Sequence, residues 1–167
     1  MTDPQPAKPN PPGHDPGYKH LYSHAAMVRD LLTGFIDADW VAELDLDTQE
    51  RRPGSYISDD LRERADDIIW RVRYGDAWLH LYLLLEFQSG IDPWMALRIA
   101  TYVGLLYQDL IRTKQFAADG TLPPVVPIVL YNGEPPWSAE LSVAPLYHAI
   151  PAPLAEFRLA QRYLVLD

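Results

Sequence analysis

The sequence predicts an α/β fold: a mixed β-sheet centred on one hairpin and flanked by helices. Three stretches carry this expectation. Asp66–Ser89 (DDIIWRVRYGDAWLHLYLLLEFQS) reads as two alternating strands about a Gly75-Asp76 turn. Directly after it, Met95, Ile99, Tyr102, Val103, Leu106 and Leu110 recur at helical spacing. Val125–Tyr131 (VVPIVLY) is then an apolar run of strand length. Alternation with period two marks strands, and a stripe with period 3.6 marks an amphipathic helix. A strand, a long helix and a second strand in that order imply a parallel pair joined by a crossover, which is almost always right-handed.

The hairpin fixes most of the geometry. Ile68, Trp70, Val72 and Tyr74 share one face with Leu79, Leu81, Leu83, Leu85 and Phe87, giving an apolar side that another element must cover. Asp67, Ile69, Arg71 and Arg73 share the other with Trp78, His80, Tyr82, Leu84, Glu86 and Gln88. A two-residue turn at Gly75-Asp76 pairs Tyr74 with Ala77 and sets Asp67 opposite Leu84. Asp67 and Glu86 are then diagonal neighbours on one face, with Cα atoms roughly 7–8 Å apart. Asp66 points the other way, because neighbours along a strand alternate.

The remaining elements follow in order. Met1–Gly13 holds five prolines and little that is apolar, so it is expected to be disordered, with the folded domain running over 14–167. Ser23 is a candidate cap for a helix over His24–Ile36, where Ala26, Met27, Leu31, Leu32 and Phe35 recur. A short strand is expected around Glu43–Leu46, a turn over Arg51–Ser58 and a loop or single helical turn over Ser58–Arg64. Asp92 and Pro93 suit the cap and first position of the long helix, which should reach about Thr113. Phe116–Pro124 reads as a loop, and Pro127 suggests that its strand lies at an edge or carries a bulge. A last strand fits Tyr163–Leu166. The chain stops in mid-pattern, as if a C-terminal extension were lacking.

Composition narrows the function. With no cysteine, the chain carries no disulfide framework, thiolate zinc site or thiol nucleophile, which suits the reducing cytoplasm. No apolar run approaches the roughly 18 residues of a membrane span. A net charge of −9 argues against a broadly basic surface for nucleic acid. It does not exclude a nuclease, since a bound metal brings its own positive charge. The histidines His14, His20, His24, His80 and His148 show no tight ligand spacing, and no glycine-rich phosphate loop is present.

The chemistry sits at Asp67, Glu86 and Gln88. Two strand carboxylates plus the backbone carbonyl of Phe87 make an oxygen-only site suited to Mg²⁺ or Mn²⁺. Such a metal can activate a water for attack on phosphorus. The same residues would equally make an ordinary solvated strand face. Arg98 and Tyr102, four apart on the next helix, could hold a phosphate, or be a surface arginine and a core tyrosine. Asp15 and Lys19 are candidate accessory groups or a mere anchor for the first helix.

LLLEFQS, followed by Met95, Arg98 and Tyr102, resembles the recombination-promoting nucleases, the YhgA-like transposase family, whose members look like PD-(D/E)XK nucleases. HDPGYKHLYSH resembles that family's opening block, SDDLRERADDIIWRV its first acidic strand, and LPPVVPIVLYNG its later strand. The resemblance implies a PD-(D/E)XK α/β core that binds a divalent metal and cuts DNA in recombination or mobile-element movement. It lays the motif acids on Asp67 and Glu86 and puts Gln88 where the superfamily usually has lysine. Phe87 replaces the family's usual histidine, with its side chain facing the core by parity. Cutting both strands would be simplest for a homodimer, though no stretch marks an interface. Two other readings stand beside this one: a nuclease-fold module that binds DNA or protein without cutting, and a true transposase, for which a third acid is missing.

Overall fold

The computed structural model describes residues 16–52, 68–86, 91–149 and 151–167. The expected proline-rich lead-in, Asp15, Asp66, Asp67, Phe87 and Gln88 lie outside those residues, as does the 53–64 part of the turn and loop expected over 51–64, whose first two residues, Arg51 and Arg52, are instead the end of a strand. Within them, the hairpin forms as its alternation requires. Strand β2 (Ile68–Tyr74) and strand β3 (Ala77–Glu86) pair antiparallel from Tyr74↔Ala77 to Ile68↔Leu83 without a slip. Gly75 takes φ 55° at the first central position of the turn, a conformation that costs glycine little.

The sheet has five strands in the order β1-β2-β3-β4-β5. Strand β1 (Leu44–Arg52) pairs antiparallel with β2. Strands β4 (Val125–Tyr131) and β5 (Leu164–Leu166) add on parallel to β3, as the crossover implied. Pro127 marks neither the expected edge strand nor a bulge, because β4 lies between β3 and β5 in unbroken register; the proline is accommodated by position. The Pro124 carbonyl accepts from the His80 N–H, so even-numbered residues of β4 bond toward β3 and Pro127 faces the other side. There β5 joins only from Ile128 onward, and the missing N–H interrupts no ladder.

Helices cover both faces. Helix α1 (Pro16–Leu21), α2 (Ala25–Phe35) and α3 (Asp39–Ala42) precede β1, and α4 (Met95–Arg112) links β3 to β4. Val28, Leu31 and Leu32 of α2 pack on Ile68, Trp70, Val72, Leu79, Leu81 and Leu83. Met95, Ile99, Tyr102, Val103 and Leu106 of α4 pack on Ile69, Tyr82 and Leu84. The apolar side thus finds its cover, and the face expected to be mixed is buried under α4 along its middle.

Three local expectations are corrected. Ser23 does not cap α2: its hydroxyl donates to the His20 carbonyl at 2.5 Å, and His24 holds the cap position. The strand expected near Glu43–Leu46 runs to Arg52, while Trp40 falls in α3. Its ladder breaks between Asp45 and Glu50, and Thr48 spans the break: its hydroxyl donates to the Asp45 carbonyl and accepts from the Arg73 N–H. Asp92 lies ahead of the cap of α4, a position Trp94 occupies. Its carboxylate serves a turn and an ion pair instead.

Candidate active site

β3 ends at Glu86, whose backbone pairs with Tyr131, the last residue of β4. Because the two strands are parallel, both carboxyl ends meet at one end of the sheet, the end at which open α/β sheets bind ligands. α4 begins at that end, only a short connection after β3. Its first turns carry the functional candidates Arg98 and Tyr102.

Arg98 is oriented by Asp92. Its Nη1 donates to Asp92 Oδ2 at 3.1 Å, and Asp92 Oδ1 accepts the Trp94 N–H at 2.8 Å. One carboxylate therefore sets the entry to α4 and holds the guanidinium, with both side chains largely shielded from water. Tyr102 is 5% exposed, its ring centroid 6.1 Å from that of Tyr82. It packs between helix and sheet, below the end of β3. Lys19 is half-buried on α1. Tyr18 and Tyr22 line a cavity of 160 Å³ together with Tyr131 and Asn132, so α1 lies at this same sheet end. The Trp70 Nε1–H fastens the segment by donating to the Tyr22 carbonyl at 3.0 Å.

An aromatic wall that the sequence reading missed stands behind Arg98. Tyr131 and Trp137 meet edge to face at 5.0 Å, and Trp137 meets Tyr163 at 6.3 Å. Tyr163 donates to the Glu140 carbonyl at 2.9 Å. Burial pushes its hydroxyl up to about 12, with Asp92 and Glu140 adding to the rise and Trp137 and Arg98 opposing it. It stays protonated at neutral pH and cannot act as a base. Gly133 completes the wall: a Cβ there would lie 2.1 Å from Tyr131 Oη. The visible signals were Asn132-Gly133, read only as a strand end, and Asp92, read only as a cap.

Among the described residues no three histidine, aspartate or glutamate side chains gather as a metal site. Asp67, Phe87, Gln88 and Asp15 fall outside those residues, and only the backbone of Glu86 is within them.

A five-stranded mixed sheet with helices on both faces, and an arginine-bearing helix starting where β3 and β4 end, defines an α/β protein consistent with a nuclease-like fold. A family model described as "Putative transposase, YhgA-like" matches residues 12–167, and the chain belongs to that family. Recombination-promoting nuclease RpnA of Escherichia coli strain K12 is 32% identical over 120 residues, 72% of this chain and 40% of that protein. Recombination-promoting nuclease RpnD of Escherichia coli O157:H7 is 29% identical over 128 residues, 75% of this chain and 48% of that protein. A further K12 relative, named as the inactive recombination-promoting nuclease-like protein RpnE, is 28% identical over 121 residues, 72% of this chain and 39% of that protein. The chain spans less than half the length of these three relatives. No solved structure matches it.

Proposed function

We propose that the chain performs divalent-metal-dependent hydrolysis of DNA phosphodiesters, with a PD-(D/E)XK arrangement of Asp67, Glu86 and Gln88. The observation that supports this most is the hairpin register. It holds without a slip to Ile68↔Leu83, the pair next to Asp67, in the phase that an Asp67–Glu86 diagonal requires. The donor set fits Mg²⁺ or Mn²⁺: two carboxylates and the Phe87 carbonyl are all hard oxygens. When bound, such a cation supplies positive charge at the phosphate and an acidified water.

The chain's own residues do the rest. Asp67 and Glu86 hold the cation. Gln88 orients the attacking water or a phosphate oxygen through an amide that both donates and accepts. Arg98, steadied by Asp92, offers planar donors to a phosphate. Tyr102 supports the helix against Tyr82, and Asp15 and Lys19 are accessory groups of the N-terminal segment. The names of the nuclease relatives support DNA as the substrate. A second reading, binding without cutting, draws on the relative named as inactive.

Nicking of supercoiled plasmid with Mg²⁺ or Mn²⁺ tests the proposal. EDTA should abolish cutting, and Glu86→Ala should slow it on the order of 10³-fold, the scale of losing a principal electrostatic group. Gln88→Lys should keep or raise the rate. Equal cutting by wild type and Glu86→Ala contradicts the assignment, and metal binding without cutting selects the second reading.

A further inference from the structure

Among the described residues His80 is the one histidine in the sheet, six residues before Glu86 and so about 20 Å from it along the strand. It is 1% exposed, and among the described residues neither ring nitrogen has a hydrogen-bond partner. Leaving buried polar atoms unsatisfied is costly, so such atoms call for a partner, whether a water or a ligand. His80 lines a cavity of 210 Å³ with Arg71, Trp78, Gln115, Phe116 and Pro123. Gln115 Oε1 is also buried there without a donor, while its amide nitrogen donates to Thr113 Oγ1 at 3.0 Å.

The lining selects its occupant. Burial, helped by the charges of Arg52 and Arg71, lowers the His80 pKa to about 4, so the imidazole is neutral near pH 7, with one donor and one acceptor. Gln115 Oε1 can only accept. A ligand must therefore present donors and an acceptor side by side, which a fully ionised inorganic anion does not. The apolar part of the lining is an indole, a phenyl ring and a proline ring, beside the polar Arg71, His80 and Gln115. Arg71 stacks on Trp78 with its guanidinium carbon 4.2 Å from the ring centroid, and Arg73 does the same at 4.1 Å. Phe116 is 44% exposed, so that wall reaches solvent. A planar heterocycle with an amide-like edge suits the His80 and Gln115 hydrogen-bonding groups and the open Phe116 wall.

We propose that this cavity is a nucleobase pocket, in which an unstacked base of the bound nucleic acid lies against Phe116 and Pro123, beside the Arg-stacked Trp78, and hydrogen-bonds to His80 and Gln115. The inference rests on the nucleic-acid reading above and adds a second contact to it, remote from the metal-binding end. Arg73 stands beside the pocket and gives positive charge for the backbone that carries the base, whereas the charge of Arg71 is paired with Glu50 at 2.6 Å.

The test uses the full chain with ¹⁵N-labelled histidine, without metal, so that it does not depend on cleavage. His80 ring signals, assigned by their loss in His80→Leu, are followed while each of the four deoxynucleosides, inorganic phosphate and deoxyribose 5-phosphate is added in turn to millimolar levels. At least one deoxynucleoside should move the His80 signals saturably, the two phosphates should not, and Gln115→Leu should weaken binding about tenfold, as loss of one buried hydrogen bond implies. No movement with any deoxynucleoside means that the cavity holds only water and overturns the proposal, as does an equal response to phosphate. A chain that binds nucleosides here but never nicks DNA would leave the pocket standing and sink the catalytic reading alone.

Discussion

His80 shows how a single residue couples burial to solution behaviour. Its alternating position assigned it correctly to the face shared by Tyr82 and Leu84, but alternation says nothing of what covers each point on a face. The arrival of Gln115 and Phe116 from the end of α4 buries it, and that contact spans a sequence gap no local pattern reports. The depressed pKa has a defined sign. The unfolded imidazole takes a proton as pH falls through 6.5, whereas the folded one does so only near 4. Between those values the unfolded chain binds more protons, so stability falls with falling pH. The contribution is on the order of 2 kcal/mol by pH 4.5. Urea unfolding of wild type and His80→Leu at pH 7 and 4.5 should show the larger acid loss in wild type. Equal losses would mean that His80 is charged in the fold or solvated.

At the scale of elements, the hairpin was legible because two long runs alternate about a turn of fixed length. Strand β1 was legible only in part. Its ladder is interrupted, and the Thr48 hydroxyl carries the connection, so its period is broken where a reader would look for it. The start of α4 was misjudged by two residues, because Asp92 divides its carboxylate between a turn and Arg98 rather than capping. Asn132-Gly133 was legible as a strand end, but the reason for glycine was not. Gly133 lets Tyr131, 4% exposed, turn its hydroxyl back to the Pro135 carbonyl at 2.8 Å. Gly133→Ala should destabilise by roughly 1–3 kcal/mol, the usual cost of overpacking, and disturb the strand end paired with Glu86. A thermal melt reads the first effect; a variant melting with wild type would contradict the close approach.

At the scale of the whole molecule, the mixed sheet centred on the hairpin and its parallel neighbour β4 were readable from the strand–helix–strand order, whereas the burial of the mixed hairpin face under α4 was not. The aromatic wall of Tyr131, Trp137 and Tyr163 was not, since it gathers residues from β4, the following loop and the segment before β5. The net charge of −9 has to be reconciled with the proposed action on DNA. Under the proposed function, the answer is local: the cation that Asp67 and Glu86 would hold, and Arg73 over Trp78 at the far end of the hairpin, since Arg98 and Arg71 are already paired with Asp92 and Glu50. Everything catalytic in this account depends on which acids hold the cation. Calorimetric titration of Mn²⁺ into wild type, Asp67→Asn and Asp66→Asn, with thermal melts on each, decides it. Wild type and Asp66→Asn should bind with similar affinity, and Asp67→Asn should lose binding while keeping its fold, melting no lower than wild type because like-charge repulsion with Glu86 is relieved. Retained binding in Asp67→Asn together with its loss in Asp66→Asn would put the register one residue out and the proposed site on the wrong face of the sheet.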